Sequence, residues 1–116
     1  MASNATALAF LGPVGTYSDE AARAFAARLG IEHPTFIECS SFDEVFDCVD
    51  RGRCEYGVVA KENALEGPVT ATLDNFAFKS SAVILGEEVV DIHHCLVTHP
   101  DAKIEDITTV ASHAQG

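Results

Sequence analysis

The first part of the chain changes from a strand-like to a helix-like pattern of apolar and polar residues. Residues 6–11 alternate small and large apolar side chains and stop at a Gly-Pro pair, which predicts a buried strand followed by a turn. Ser18 is the predicted N-cap of the next helix, because two acids follow it directly and an apolar stripe continues to Gly30. Residues 6–30 therefore predict a strand, a glycine-containing turn and a helix.

The same pattern occurs twice more before residue 80. Residues 35–39 predict a second strand, and Ser40-Ser41 are the predicted caps of a helix with apolar side chains at i, i+3, i+4 and i+7 that ends at Gly52. Residues 56–61 predict a third strand, and residues 69–78 predict the helix that starts just after Gly67-Pro68. Three successive strand–helix units predict an α/β fold with a mostly parallel sheet, helices on both faces and right-handed crossovers.

The helical period is lost beyond residue 80. Residues 82–85 and 89–97 are two extended apolar runs that predict a long strand or a strand pair. Residues 99–101 predict a turn, residues 104–107 one helical turn, and residues 108–112 a last strand. Because a parallel sheet normally covers such a strand with a further helix, we expect the domain to be truncated.

The chain is short and acidic. Its 116 residues are enough for one domain, and 47% hydrophobic with 22% charged residues is typical of a globular protein. Eighteen acids and seven bases give a formal net charge of −11, which predicts no binding to nucleic acid or to anionic membranes. No apolar run approaches the ~20 residues that span a bilayer. A small anionic ligand would need local hydrogen-bond donors to overcome this charge.

The four cysteines include no C-x-x-C pair, and no secretory signal precedes the predicted fold. Reduced thiols in a cytoplasmic protein are therefore expected. The cysteines are interpreted as small buried hydrophobic residues, with a catalytic or metal-binding role as the alternative. Residues 1–6, which include Ser-Asn-Ala, are interpreted as a tag remnant outside the fold.

Polar residues follow three of the predicted strands, at residues 12–18, 62–67 and 112–116. In open α/β sheets, ligands bind outside the carboxyl ends of the strands. The glycines and hydroxyls of the first segment could hold a carboxylate or phosphate, although a plain strand–helix turn would use the same glycines and the nucleotide-binding glycine spacings are absent. Glu62 and Asn63 place an acid beside an amide, which fits proton transfer and hydrogen bonding, but a solvated loop acid has the same pattern.

The histidines give no comparable signal. His93, His94 and Cys95 are adjacent, but neighbouring side chains of a strand point to opposite faces, so no metal site is predicted there. His33 and His99 lie next to proline turns and are predicted to be surface residues.

The three strand ends, taken in order, resemble segments of the prephenate dehydratases, which convert prephenate to phenylpyruvate in phenylalanine biosynthesis with loss of water and carbon dioxide. FLGPVGTYS at residues 10–18 is similar to the opening of that family. YGVVAKENALEG at residues 56–67 is similar to its Pro-Ile-Glu-Asn-Ser-x-x-Gly segment, and SHAQ at residues 112–115 to its Ser-His-Pro-Gln.

The resemblance implies a two-lobed fold like the periplasmic binding proteins of the second type, with prephenate bound in the cleft and no cofactor or metal. Residues 7–98 would form the first lobe with a crossover strand, and residues 99–116 the start of an incomplete second lobe. The implied site residues fall on all three strand ends: Glu62 and Ser112 as catalytic residues, and Gly15, Thr16, Asn63 and Gln115 as substrate-binding residues.

The chain also departs from that family. Ala60-Lys61, Ala64 and Ala114 replace the Pro-Ile, Ser and Pro of its motifs, and none of the eight threonines is followed by arginine, so the Thr-Arg-Phe segment with the threonine regarded as catalytic has no counterpart. We therefore expect the chain alone to be inactive. Two alternatives are a non-catalytic lobe that binds a small aromatic acid, and a structural fragment that forms a homo-oligomer through its exposed cleft face.

Overall fold

The computed structural model describes residues 6–63, 67–91 and 95–111, and its centre is a three-stranded parallel sheet. The strands are β1 (Thr6–Leu11), β2 (Pro34–Cys39) and β3 (Tyr56–Val58), in the spatial order β2-β1-β3. Helices α1 (Tyr17–Arg28) and α2 (Phe42–Asp50) connect them. The α/β class, the parallel pairing and the first two strand–helix units are confirmed.

The two helices cover opposite faces of the sheet because β1 alternates its side chains between them. Phe10 packs with residues of α1, whereas Ala9 packs with residues of α2. Leu8, Ala9 and Phe10 are fully buried. Continuous apolar character in β1 therefore reflects a strand that is covered on both sides, as predicted.

Helix α1 begins two residues earlier than predicted. The cap is Thr16, not Ser18: the Thr16 hydroxyl accepts a hydrogen bond of 3.2 Å from the Asp19 N–H. The cap of α2 is Ser41, as predicted, and its hydroxyl accepts from the Glu44 N–H at 3.1 Å. In both helices the capping hydroxyl bonds to the N–H three residues further along the chain, the usual N-cap geometry.

The third strand is shorter than predicted. It ends at Val58 rather than at residue 61, and the chain then forms a small antiparallel pair of β4 (Glu62–Asn63) and β5 (Gly67–Pro68). The Lys61 carbonyl accepts a hydrogen bond from the Val69 N–H at 2.8 Å, which continues this pairing. Gly67-Pro68 therefore belongs to a strand and does not start the next helix.

The third helix packs beside α2. It consists of α3 (Thr70–Asp74) and a π-helical turn (Asn75–Lys79), which confirms the helix predicted over residues 69–78 within two residues at its ends. The Asn75 side-chain amide donates to the Asp43 carboxylate at the start of α2, and the Ser80 hydroxyl donates to Asp50 at the end of α2. The third helix therefore packs against α2 on the same face of the sheet.

No strand is present in the described residues beyond 80, so the strands predicted at residues 82–85, 89–97 and 108–112 are wrong wherever the structure describes them. Large apolar side chains are exposed there, including Leu85 (76%) and Val89 (88%). Residues 87–90 are held to the body by Arg28 and by Val90. Arg28 pairs with Glu88 at 2.7 Å and donates to the Glu87 carbonyl at 3.1 Å, and Val90 packs against the core on the α1 face. An extended apolar run forms a strand only where a partner strand is available to pair with it.

Two shorter predictions in this part of the chain are confirmed. The turn at Pro100-Asp101 is closed by a hydrogen bond of 2.9 Å from the Ala102 N–H to the His99 carbonyl. A single 3₁₀ turn follows at Ile104–Asp106. Within the ranges that are described, no helix has the length and apolar character needed to cross a membrane.

Candidate functional site

The order of the strands defines where a ligand would bind. Because the three strands are parallel, their carboxyl ends lie at one edge of the sheet. The helix that follows β1 covers one face and the helices that follow β2 and β3 cover the other. The chain runs from β1 to β2 on one side of β1, whereas β3 lies on the other side, so the strand order reverses between β1 and β3. Open α/β sheets bind ligands at such a switch point.

The turn after β1, residues 12–16, forms one side of this switch point and is here called the first corner. Gly15 has a φ of +96°, a conformation that favours glycine, and its N–H donates to the Asp19 carboxylate at 2.8 Å. The Thr16 hydroxyl donates to the carbonyls of Pro13 (3.0 Å) and Leu11 (3.2 Å). The polar groups of the first corner thus bond within the corner and to the flanking elements β1 and α1.

Asp19 already supplies a carboxylate to the first corner. It is buried, and its second oxygen accepts from the Arg23 Nε at 2.9 Å. The N-terminus of α1 is a favourable position for an anion because the first N–H groups and the helix dipole both point there. A substrate carboxylate bound by Gly15 and Thr16 would therefore have to displace Asp19 or share its donors.

The segment after β3 forms the other side of the switch point. Glu62 is exposed in β4, and the backbone of Asn63 pairs with Gly67 in β5. Lys61 precedes them and is also exposed. Since β4 and β5 form a separate two-stranded sheet, their pairing and not the central sheet fixes the backbone that carries the acid and the amide.

The sequence-predicted site residues are only partly described. Gly15 and Thr16 follow β1, and Glu62 and Asn63 follow β3, so both pairs belong to the carboxyl edge of adjacent strands. Ser112 and Gln115 lie outside the described residues. So do His93 and His94, whereas Cys95 is exposed, which makes the prediction of a buried residue wrong for this cysteine.

A second feature of this edge was not predicted from the sequence. Glu38, Cys39 and Ser40 at the end of β2 form an open groove of about 340 Å³ with Gly12-Pro13. The rule that ligands bind at strand ends could have directed attention to Glu38 and Ser40, because they end the second predicted strand. The groove lies between β1 and β2, away from the switch point, and its exposed carboxylate disfavours an anionic ligand.

Ser40 in this groove is bonded to Glu44 in the first turn of α2. Its N–H and its hydroxyl both donate to the Glu44 carboxylate, at 2.9 and 2.7 Å. The side-chain and backbone hydrogen bonds from Ser40 lower the pKa of Glu44 below its ordinary value of 4.5. The carboxylate form of Glu44 therefore helps to hold the end of β2 to the start of α2.

This pKa shift predicts a pH dependence of stability. A lowered pKa in the folded state stabilises the fold above the ordinary value of 4.5, and this contribution is lost as the pH falls through the folded pKa. Glu44→Gln should lower the urea unfolding midpoint at about pH 6, and its difference from the wild type should shrink by about pH 3. Glu20→Gln, an exposed acid in the first turn of α1, is the control for helix-dipole effects. An equal Glu44→Gln effect at both pH values would contradict the prediction.

Within residues 6–63, 67–91 and 95–111, no group of three or more His, Cys, Asp or Glu side chains is arranged to hold a metal ion. The polar groups described at the switch point are instead a carboxylate, an exposed lysine, backbone N–H groups and a hydroxyl. Groups of these kinds are able to hydrogen-bond to a small organic acid and to transfer a proton, and a doubly wound α/β domain with polar strand ends is typical of small-molecule-binding proteins.

Comparison with known proteins gives the family. The family model for prephenate dehydratase matches residues 8–116, and the chain belongs to this family. It is 35% identical to a prephenate dehydratase of Corynebacterium glutamicum over 100% of this chain and 38% of the relative. It is 38% identical to a bifunctional chorismate mutase/prephenate dehydratase of Escherichia coli and 40% identical to one of Pseudomonas aeruginosa, over 93% of this chain in each case.

The chain spans about a third of the length of these relatives: 38% of the Corynebacterium protein and 28% of each bifunctional enzyme. Among solved structures, none matches the chain. The predicted family membership is confirmed over almost the whole sequence.

Proposed function

We propose that this chain supplies part of the substrate cleft of a prephenate dehydratase, which removes water and carbon dioxide from prephenate to form phenylpyruvate. The observation that carries the proposal is the switch point between β1 and β3 in a chain that the family model matches. The residues after these two strands include Thr16 and Glu62, two of the residues expected to face the substrate.

The reaction defines what each group would do. Prephenate carries two carboxylates and a ring hydroxyl. When one carboxylate leaves as carbon dioxide, its electron pair makes the ring aromatic and the hydroxyl departs, which requires a proton at the hydroxyl oxygen. Glu62 is our candidate proton donor, with Ser112 as a second catalytic residue. Gly15, Thr16, Asn63 and Gln115 would bind the carboxylates and hold the ring in place.

We further propose that the sheet belongs to one lobe of a two-lobed fold like the periplasmic binding proteins of the second type. In such a fold the cleft has two walls, and the described residues would form one of them. Lys61 is the only cation among the described residues that directly follow the three strands of the central sheet. With Asp19 already at the N-terminus of α1, this wall should bind a dianion weakly and give negligible turnover on its own.

A chimera tests the proposed function. Residues 8–116 would replace the matched segment of the Corynebacterium glutamicum relative, and phenylpyruvate formation from prephenate would be measured. We expect the chimera to form phenylpyruvate and the 116-residue chain alone to form none above the uncatalysed rate. A folded chimera that binds prephenate without turnover would contradict the catalytic proposal and favour a binding lobe. If the chain alone were as active as the chimera, the proposal that it forms only part of the cleft would be contradicted.

A specific observation also favours self-association. Residues 83–85 and 89 expose a run of large apolar side chains, Val83, Ile84, Leu85 and Val89, and contiguous exposed apolar surface often marks an interface. We propose that this surface forms a homo-oligomer when nothing else covers it. Light scattering should then show a mass that rises with concentration, and a constant monomer mass would exclude it.

The three buried free thiols fit a protein that works in the reducing cytoplasm.

A further inference from the structure

Three buried cysteines belong to one core cluster on the α2 face of the sheet. Cys39 ends β2, Cys48 lies in α2 above it, and Cys54 precedes β3; all three are at most 4% exposed. The sulfur atoms of Cys39 and Cys48 are 4.0 Å apart. Two thiols in van der Waals contact need only a short approach to form a bond.

An arginine contacts one of these two thiols directly. The Arg53 Nη2 donates a hydrogen bond of 2.8 Å to the Cys48 sulfur, although Arg53 itself is exposed. The same hydrogen bond is the main cause of a raised pKa of the Arg53 guanidinium. A guanidinium at this distance stabilises a thiolate, and reactive cysteines are found beside such cations.

We propose that Cys39 and Cys48 are an oxidisable thiol pair, a modification site at which a hydroperoxide converts two thiols into a disulfide. Cys48 is the attacking sulfur because the cationic Arg53 guanidinium donates a hydrogen bond to it. Cys39 is the resolving sulfur because it is in contact with Cys48. Because Cys48 is itself buried, the proposal requires the exposed Arg53 side chain to move aside before a hydroperoxide reaches the Cys48 sulfur.

The oxidation takes place in two steps. The Cys48 thiolate attacks one oxygen of the hydroperoxide, the O–O bond breaks, and the other oxygen leaves with a proton as an alcohol or water. Cys48 is then a sulfenic acid. The Cys39 sulfur attacks the Cys48 sulfur and loses its proton, and the sulfenic hydroxyl leaves with that proton as water. One hydroperoxide is reduced and two thiols are oxidised to one disulfide.

The surroundings of the other thiols explain this order. Burial raises the pKa of Cys39 to about 12 and that of Cys54 to about 11, so neither is a good first nucleophile. Within the hydrogen bonds of the described residues, Cys48 is the cysteine whose sulfur accepts from an arginine. A buried sulfenic acid beside a second thiol condenses to a disulfide before further oxidation.

The pair is connected to the first corner. The carbonyl of Cys39 accepts a hydrogen bond of 2.9 Å from the Gly12 N–H, and Cys39 lines the groove beside Gly12-Pro13. Formation of the disulfide pulls Cys39 toward α2 and therefore acts on the turn that carries Gly15 and Thr16. The modification site does not depend on the proposed catalytic function.

The tryptic map of this sequence separates the possible disulfides. Cys39 and Cys48 share the peptide 29–51, whereas Cys54 lies in 54–61. The folded 116-residue chain carrying Cys95→Ser would be treated with hydrogen peroxide, then unfolded, alkylated with N-ethylmaleimide and digested. We expect peptide 29–51 to be unalkylated and about 2 Da lighter, and to regain two alkylation sites after reduction with dithiothreitol.

Three variants test the assigned roles. Cys39→Ser should leave a Cys48 sulfenic acid that dimedone traps. Arg53→Gln should slow oxidation roughly tenfold, whereas Arg51→Gln, whose side chain pairs with Asp47, should not change the rate. Circular dichroism checks that each variant is folded. The proposal is overturned if peptide 29–51 keeps two alkylated cysteines, if it is cross-linked to 54–61, or if Arg53→Gln oxidises at the wild-type rate.

Discussion

Gly57→Ala is expected to destabilise the fold by about 3 kcal/mol, at the upper end of the cost of overpacking a core. A Cβ at residue 57 would lie 2.9 Å from the Val45 Cγ1 and 2.9 Å from the Val49 Cγ2. Both atoms belong to branched side chains of α2 close to the backbone, and Val45 is fully buried. The clash therefore cannot be relieved by a rotamer change at the end of a long side chain, and α2 has to move away from β3.

The measurement is urea unfolding of the two proteins followed by circular dichroism. Gly57 does not have a positive φ, so backbone strain makes no contribution and the loss reports the packing of α2 on β3. Gly86→Ala is the matched control, because its Cβ would meet only the Phe25 Cε1, at 3.9 Å. The control should change the free energy of unfolding by no more than about 0.5 kcal/mol. A loss below about 1 kcal/mol for Gly57→Ala would contradict the close contact.

The sheet and its two helices could be predicted because local signals and tertiary packing agree there. β1, β2, α1 and α2 each combine an apolar period with a turn or cap residue, and each is present within two residues of its predicted bounds. The N-cap of α1, Thr16, could have been recognised from the sequence in place of Ser18. Thr16 and Asp19 have the same spacing as Ser41 and Glu44, a hydroxyl followed three residues later by an acid. In both cases the acid accepts from the N–H just before the cap, at Gly15 and at Ser40.

The part beyond residue 80 could not be predicted from local pattern. Residues 82–85 have the apolar character of a strand, but strand formation needs backbone partners that no local pattern specifies. Within the described residues, this part of the chain is attached through a few local contacts, such as Asp50 with Ser80 and Ser81, and Arg28 with Glu87 and Glu88. Pattern alone therefore identified where apolar residues occur but not what they pack against.

The candidate site was predictable in position but not in its internal bonding. The rule for strand ends leads to Gly15, Thr16, Glu62 and Asn63, and both pairs follow adjacent strands of the sheet. The sequence could not show that the Asp19 carboxylate already accepts the Gly15 N–H in the first corner. That contact can be predicted only when the first residue of α1 is known. It also could not show that Arg53 reaches Cys48, since the contact depends on how the chain turns after α2.

Glu62→Gln in the chimera is expected to lower kcat by about 10²–10⁴-fold, the usual contribution of a general acid. Glutamine keeps the shape and the hydrogen-bonding oxygen of the side chain but cannot deliver a proton to the leaving hydroxyl. The loss should therefore fall on kcat, with a smaller change in KM, when phenylpyruvate formation is followed over a range of prephenate concentrations. Glu32→Gln removes the same charge from an exposed loop before β2, at the opposite edge of the sheet, and should leave kcat unchanged. A raised KM with wild-type kcat would show instead that Glu62 only binds the substrate, and equal kinetics in both variants would remove Glu62 from the site.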